Sequence, residues 1–409
     1  MKLQLSKPES NLLNADVTIT GSKSDTNRLL LLQSVFPSIA VANISNSDDA
    51  QVMQEGLATT AGEVDIHHAG TAMRFLTSYF ASSPGMAVLL TGSKRMKQRP
   101  IQVLVDALRT LGADISYAEN EGYPPLRIKG KELEESKVSL PANISSQYIS
   151  SLLLIAPKLP NGLELELVGK ITSVPYINMT LSLLNALGIK THFEGNQIRV
   201  YPKTHIEATN FVVESDWSAA SYFYSITAMA EVGSEIRLSS YKEASLQGDS
   251  ALVKIYQQFG VQTTFFEHSI SLKKVSIPEK EHIVCELSNA PDIAQTIAVS
   301  CLGMGLSCHL TGLHTLPIKE TDRLAAMKTE LEKFGASVTI DHESLSLAPL
   351  ETLRENQTVA TYNDHRMAMA VAPLALKVGF IVNNAMVVSK SYPDFWKDLI
   401  KVGFGIAKT

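Results

Sequence analysis

Cysteine and long apolar runs are scarce in this 409-residue chain, and positive charge is not in excess. The three cysteines, Cys285, Cys301 and Cys308, form no CxxC pair and no zinc-like His/Cys spacing. A sparse, odd set of this kind reads as reduced thiols of a cytoplasmic protein, buried in strand-like or helical context. No apolar stretch approaches the ~20 residues of a membrane span. The N-terminal MKLQLSKPESNLL has no continuous apolar core and does not read as a signal peptide. A formal net charge of −5 leaves no broad basic surface for nucleic acid, so any anion must be held by a local concentration of Lys and Arg. His67 and His68 are adjacent but have no third ligand at metal spacing, so no metal site is expected.

What is present is ordinary for a folded protein: 45% hydrophobic and 19% charged residues. The length suits two domains of roughly 200 residues each. Six times a small polar start is followed at once by an apolar, helix-like run. The starts are SKSDTNRLLLLQSVF from Ser22, HAGTAMRFLTSYFA from His68, SSQYISSLLLIAP from Ser145, SDWSAASYFYSITAMA from Ser215, PDIAQTIAVSCLG from Pro291 and NDHRMAMAVAPLAL from Asn363. Ser, Asp and Asn suit an N-cap, and Pro suits the first turn. Between them recur amphipathic helices that end in Gly and lead into alternating, strand-like residues: LVDALRTLGADISY, LSLLNALGIKTHF, ALVKIYQQFGVQTTF and MKTELEKFGASVTI.

Each repeat thus reads as helix, helix and several strands over about 70–76 residues. From Ser22 to Ala69 is only 47 residues, so the first repeat is expected to have lost two strands or more between Gly62 and His68. Six repeats imply two domains of three. The boundary is placed near Ser215: residues 21–215 form one domain and 216–409 the other, with residues 1–20 returning to the C-terminal one.

The cations sit where helix stability alone would not put them. A helix N-terminus carries roughly half a positive charge, yet Arg28, Arg74 and Arg366 lie near three of the helix starts. Each could pair with a nearby carboxylate such as Asp25 or Asp364. Three at equivalent places tilt the reading towards bound anions. The loop KRMKQRP puts Arg99 before a helix start, with Lys94, Arg95 and Lys97 as solvated charge. In IKETDRLAAMKTELEKFG, Glu320 and Arg323 alone read as a surface i,i+3 pair. Ser145, Ser146 and Gln147 offer more polar groups than capping uses. Asp292 reads as a dipole partner in a first turn, and His365 as structural. GSKSDTNR has a lysine and an arginine but no GxxxxGK spacing, so it is not a nucleotide loop.

GSKSDTNR, HAGTAMR, QRPIQVLVDALRTLGA, SSQY, SVPYI, ESDWSAASYF, LQGD, PDIA, KETDRLAAM, YNDHRMAM and KSYPDF occur in that order from Gly21 to Phe395. In them the chain resembles the 5-enolpyruvylshikimate-3-phosphate synthase (3-phosphoshikimate 1-carboxyvinyltransferase) family over nearly its whole length. The resemblance implies an α/β (α+β) fold, the inside-out α/β barrel of enolpyruvyl transferases, with two domains of βαβαββ-like repeats that close around the substrates. It implies transfer of the enolpyruvyl group of phosphoenolpyruvate to the 5-hydroxyl of shikimate 3-phosphate, with no cofactor, in a cytoplasmic monomer.

By motif, it makes Lys23, Asp292 and Glu320 catalytic: Lys23 stabilises charge, Asp292 accepts the hydroxyl proton and Glu320 protonates the methylene carbon. Shikimate 3-phosphate would be held by Lys23, Ser24, Arg28, Ser145, Ser146, Gln147, Ser173, Asp292 and Lys319. Phosphoenolpyruvate would be held by Lys23, Gly70, Arg99, Gln147, Arg323, Arg366 and Lys390. The chain departs from the family's usual pattern at His68 and Thr315, where Asn is common, and at Phe75, where Pro is common. His68 is expected to take over a phosphate contact. The UDP-N-acetylglucosamine enolpyruvyl transferases are the nearest alternative, but the loop Thr91–Gln98 has neither their usual Cys nor its Asp substitute. A non-catalytic anion-binding paralogue is the other alternative, opposed by the joint presence of Lys23, Asp292 and Glu320.

Overall fold

The structure is a computed structural model that describes all residues except 142–144, 170, 172 and 173. The chain forms two compact units, Gly21–Val213, and Met1–Thr20 together with Glu214–Thr409.

Within Gly21–Val213, each repeat opens on an inner helix. Gly70–Ala81 is buried at every position, which a helix achieves only when packed on all sides. Its neighbours are the inner helices Lys23–Val35 and Ser146–Ile155, and the three pack on one another. The second helix of a repeat is one-sided: Gln102–Thr110 buries Leu104, Val105, Ala107 and Leu108 and turns its other residues outward. The Gly after each such helix has the positive φ of a C-cap, at Gly112, Gly188, Gly260 and Gly335.

The strands close into small sheets with one recurring plan. Ala61–Asp65 pairs in parallel with Ala87–Thr91, followed antiparallel by Leu126–Lys129 and Asp114–Tyr117. Lys137–Pro141, Leu163–Val168, Gln197–Val200 and Thr191–Glu194 repeat the order. The sheet of the first repeat holds only Ile39–Ala42 and Thr209–Val212, in parallel. The two strands missing there are the hairpin that the other repeats insert after the second helix. Only Ala58, Thr59 and Thr60 link the helix Asp48–Leu57 to the strand Ala61–Asp65, too short a span for a hairpin.

In the other unit all three sheets have four strands. The N-terminal segment supplies two strands here, where one was expected. Asn14–Val17 lies parallel to Glu235–Ser239 as an edge strand. Leu3–Ser6 lies between Phe380–Val382 and Gly405–Lys408, in the place a hairpin's inner strand takes elsewhere, with Leu3 and Leu5 buried. Two expected helix runs are broken. His365–Val371 continues as a 3-10 turn, Ala372–Leu376, because Pro373 lacks a backbone N–H. Pro291–Ile293 is a 3-10 turn ahead of the helix Ala294–Gly303.

Candidate active site

In the unit that contains Glu214–Thr409, Arg323 is the hub of a buried charge cluster. It begins the helix Arg323–Lys333, whose N-cap is Asp322. Lys319 and Glu320 therefore lie in the loop before the helix. The surface pair expected of Glu320 and Arg323 is instead a contact of 2.8 Å to an arginine only 2% exposed. Arg323 Nε donates to Asp364 Oδ2 at 2.7 Å and Nη1 to Asp292 Oδ1 at 2.9 Å. Around this core stand three more cations. Lys319 Nζ is 3.3 Å from Asp292 Oδ1, Arg366 Nη2 is 3.2 Å from Asp292 Oδ2, and Lys390 Nζ is 3.6 Å from Glu320 Oε1.

The electrostatic consequences are strong. Burial pushes the Asp292 carboxyl up, but Arg366, Lys319 and Arg323 outweigh it and hold it far below the usual range. Burial works against the charge on Arg323 too, and Asp364, Glu320 and Asp292 more than restore it. Asp292 sits in the 3-10 turn Pro291–Ile293, where Pro sets the turn and aims the carboxylate at the cluster. Asp364 does not ion-pair with the Arg366 guanidinium. It caps the helix His365–Val371 by accepting from Arg366 N at 2.9 Å, and spends its carboxylate on Arg323. His365 is buried against it, with Nδ1 3.9 Å from Asp364 Oδ1.

The unit Gly21–Val213 collects cations differently. Arg28, 3% exposed, donates from Nε to Thr180 Oγ1 at 2.8 Å, from Nη2 to Ser150 Oγ at 3.2 Å and from Nη1 to Ser24 O at 2.8 Å. All these partners are neutral. Burial lowers its pKa, opposed by the charge of Asp25. Phe75, fully buried, lays its ring 5.6 Å from the Arg28 guanidinium. Arg74 is 4% exposed; Nη1 donates to Gly70 O at 3.0 Å, and Nε has no partner among the described residues. Its pKa is pushed down to about 10, by burial first and then by Arg99. Among the described residues neither Arg28, Arg74 nor Arg99 has an ion pair.

Gly70 opens the inner helix Gly70–Ala81 between the two guanidinium groups of Arg74 and Arg99. A Cβ there would lie 2.7 Å from Arg99 Nη1 and 3.2 Å from Arg74 Nη1, so only glycine leaves the pair its present approach. This helix start has no side-chain cap, so backbone N–H groups and two arginines face one place. Gln147 reaches across to Thr71, Nε2 to Oγ1 at 3.1 Å. Ser145 is the N-cap of the helix Ser146–Ile155, and Ser146 is buried without that duty. Ser173 lies outside the described residues. Lys23, at the start of its helix, has its Nζ 3.2 Å from Asp49 Oδ2. His67 and His68 are exposed, with His67 near Asp65. No group of three metal-ligating side chains occurs among the described residues.

The structure thus brings Asp292, Lys319, Glu320, Arg323, Arg366 and Lys390 together in one unit. In the other it brings together Gly70, Arg99 and Gln147's partner Thr71, and places Lys23, Ser24 and Arg28 on one helix. Sequence reasoning missed the groups that hold these cations: Asp49 for Lys23, Thr180 and Ser150 for Arg28, and Asp364 as anchor of Arg323. Asp49 could have been found as the second acid of an SDD helix start. Thr180 and Ser150 carry no signal beyond being polar in apolar helices.

Comparison with known proteins places the whole chain. A family model described as EPSP synthase (3-phosphoshikimate 1-carboxyvinyltransferase) matches residues 38–399. The chain is 45% identical to a 3-phosphoshikimate 1-carboxyvinyltransferase of Bacteroides fragilis, over 99% of both chains. It is 33% identical to one of Haemophilus influenzae, over 94% of this chain and 96% of that one. The EPSP synthase structure from Acinetobacter baumannii superposes over 100% of both chains with a TM-score of 0.81 at 20% identity. The enolpyruvyl transferase NikO from Streptomyces tendae superposes over 100% of this chain and 99% of that one, with a TM-score of 0.73 at 14% identity. The structural likenesses carry the enolpyruvyl transferase fold, and the sequence matches carry the family.

Proposed function

The chain belongs to the EPSP synthase (3-phosphoshikimate 1-carboxyvinyltransferase) family, and on that premise we propose that it transfers the enolpyruvyl group of phosphoenolpyruvate to the 5-hydroxyl of shikimate 3-phosphate, releasing phosphate. The observation that carries this reading is the cluster around Arg323. It sets two carboxylates, Asp292 and Glu320, among four cations, which is the equipment for moving protons in opposite directions beside a polyanion.

In this reading Asp292 accepts the proton of the attacking hydroxyl, and Glu320 protonates the methylene carbon of the enol. Asp292 is a poor base while three cations hold it, because a base works best with a pKa near the working pH. An anionic substrate that draws Arg366 and Lys319 towards its own oxygens removes that hold and makes Asp292 more basic when it is needed. Elimination then returns the proton from the methyl carbon to Glu320 and expels phosphate. Lys23 stabilises the developing charge, and Lys390 keeps Glu320 near its task.

Arg99, Gly70, Gln147, Arg366 and Lys390 bind phosphoenolpyruvate. The unpaired Arg74 and Arg99 beside Gly70 support an anion there. Arg323 directs four of its five N–H donors at carboxylates, so the second hydrogen of Nη1 is what it can offer a ligand without displacing an acid. Ser24, Arg28, Ser145, Ser146, Gln147, Ser173 and Lys319 bind shikimate 3-phosphate, and exposed His68 adds a phosphate contact. Thr315 Oγ1, buried without a partner among the described residues in the loop ahead of Lys319, suits a ligand contact as well. We read the two compact units as the family's two domains, the protein as a monomer and its compartment as the cytoplasm, in keeping with three buried, unbridged thiols.

The test is phosphate release with both substrates, run beside UDP-N-acetylglucosamine as acceptor. Release is expected with shikimate 3-phosphate alone, and Asp292→Asn should lower kcat by about 10²–10⁴-fold, the usual worth of a general base. Binding of shikimate 3-phosphate without any release would overturn the enzyme reading.

A further inference from the structure

Behind Asp292 stands a second acid that the reaction above does not use. Asp249, in the 3-10 turn Gly248–Ala251, is 6% exposed. It accepts a hydrogen bond from the hydroxyl of Ser218. Ser218 Oγ in turn accepts from Arg366 Nη2 at 3.0 Å, and the same nitrogen reaches Asp292 Oδ2 at 3.2 Å. A hydroxyl has one proton. Given to Asp249, it leaves Ser218 only lone pairs to turn towards Arg366. The carboxylate therefore fixes which way the serine points.

Two further features show that this arrangement is built rather than incidental. Capping of the helix Trp217–Met229 is complete without Asp249, because Asp216 Oδ1 accepts from Ser218 N at 2.8 Å and Ala219 N at 3.3 Å. The turn that carries Asp249 is clamped to the same helix start. Gln247 Oε1 accepts from Trp217 N at 2.9 Å, and its Nε2 donates to Ser215 O at 3.0 Å. An acid kept this far from water, beside Asp292 and Asp216, is costly unless its place matters. Its pKa is raised to about 6, chiefly by burial, with Arg366 opposing.

We propose that Ser218 and Asp249 are positioning residues for Arg366, holding its guanidinium in place when an anionic substrate displaces the Asp292 contact. The proposal rests on reading Arg366 as a phosphoenolpyruvate ligand. Neither Ser218 nor Asp249 touches a reacting atom; they act through the arginine. Loss of the relay lets Arg366 follow Asp292, so substrate must then pull it away unaided.

The experiment measures kcat and KM for phosphoenolpyruvate in Ser218→Ala, Asp249→Asn, the double variant, Ser218→Thr and Arg366→Ala. Both single variants are expected to raise KM about tenfold, the scale of one charge-assisted hydrogen bond, with kcat within about threefold. The double variant should be no worse than the poorer single one, since either change breaks the same relay. Ser218→Thr keeps the hydroxyl and should restore KM. A role confined to stability would lower kcat through the fraction folded and leave KM alone. If Asp249→Asn does not fold, Ser218→Ala with its Thr rescue decides alone. Unchanged KM in Ser218→Ala and Asp249→Asn, with KM raised in Arg366→Ala, overturns the relay. Unchanged KM in Arg366→Ala overturns the ligand reading beneath it.

Discussion

Arg323 and Arg74 are both buried near helix starts, at 2% and 4% exposure, but their surroundings differ in kind. Arg323 is matched by Asp364, Asp292 and Glu320. Arg74 has carbonyl, thioether and ring neighbours, a second guanidinium close by, and an Nε with no partner among the described residues. The first arginine has its charge balanced without a ligand. The second has no carboxylate beside it among the described residues. Proton transfer and anion capture therefore make opposite demands on a buried arginine: the one needs carboxylates next to it, the other needs them kept away.

The largest effect that could break this contrast is on stability. Arg323→Met leaves Asp364, fully buried, without its guanidinium partner, while Asp292 keeps Arg366 and Lys319 and Glu320 keeps Lys390. Stranding buried charge in this way typically costs about 3–5 kcal/mol, to be read by chemical denaturation. A loss below about 1 kcal/mol would show that the cluster is wet and loosely held. Arg74→Leu should behave differently. It removes a cation whose burial is uncompensated, so stability should stay within about 1 kcal/mol of the parent or rise. Inorganic phosphate should raise the Tm of the parent by more than that of Arg74→Leu, because a ligand stabilises only what binds it. Equal shifts would mean that the arginine beside Gly70 is structural.

The repeat was legible because inner helices and glycine-capped outer helices leave periodic marks; Gly112, Gly188, Gly260 and Gly335 all take the positive φ that their position after a helix implies. The 47-residue first repeat likewise foretold the two-strand sheet of Ile39–Ala42 and Thr209–Val212 but not where the loss falls: it is at Ala58–Thr60, ahead of the strand Ala61–Asp65, and not between Gly62 and His68. Strand exchange was less legible. Nothing in LQLS says that Leu3–Ser6 lies between Phe380–Val382 and Gly405–Lys408, since such pairing is set by partners hundreds of residues away. In the candidate site, the cations could be read from their odd placement at helix starts. Their burial could not: Glu320 and Arg323 have the spacing of an exposed pair, and only the Asp322 cap moves Glu320 off the helix. Thr180 and Ser150 gave no signal because holding a cation needs no special spacing, only proximity in the fold.

The smallest effect is one of pH, and it separates two neighbouring acids. Asp292 is held low, so its contribution to stability is full above the ordinary aspartate value near 3.8 and is lost only as pH falls below that. Asp249 is the reverse case. Its folded pKa, about 6, lies above the value of 3.8 it has when unfolded, chiefly through burial. Between these values the folded chain binds a proton that the unfolded chain does not, so stability falls as pH rises through the window. Arg366, Asp292 and Asp216 surround the group; Arg366 is held well above this window and Asp292 well below it, so neither of those two changes charge there. Lowering pH from about 6 to 4 should therefore stabilise the parent relative to Asp249→Asn, by at most about 1.4 kcal/mol per pH unit. Paired denaturation curves across that range measure it. A difference that is flat with pH would mean that Asp249 stays ionised, held by Ser218 and Arg366 more firmly than burial opposes it.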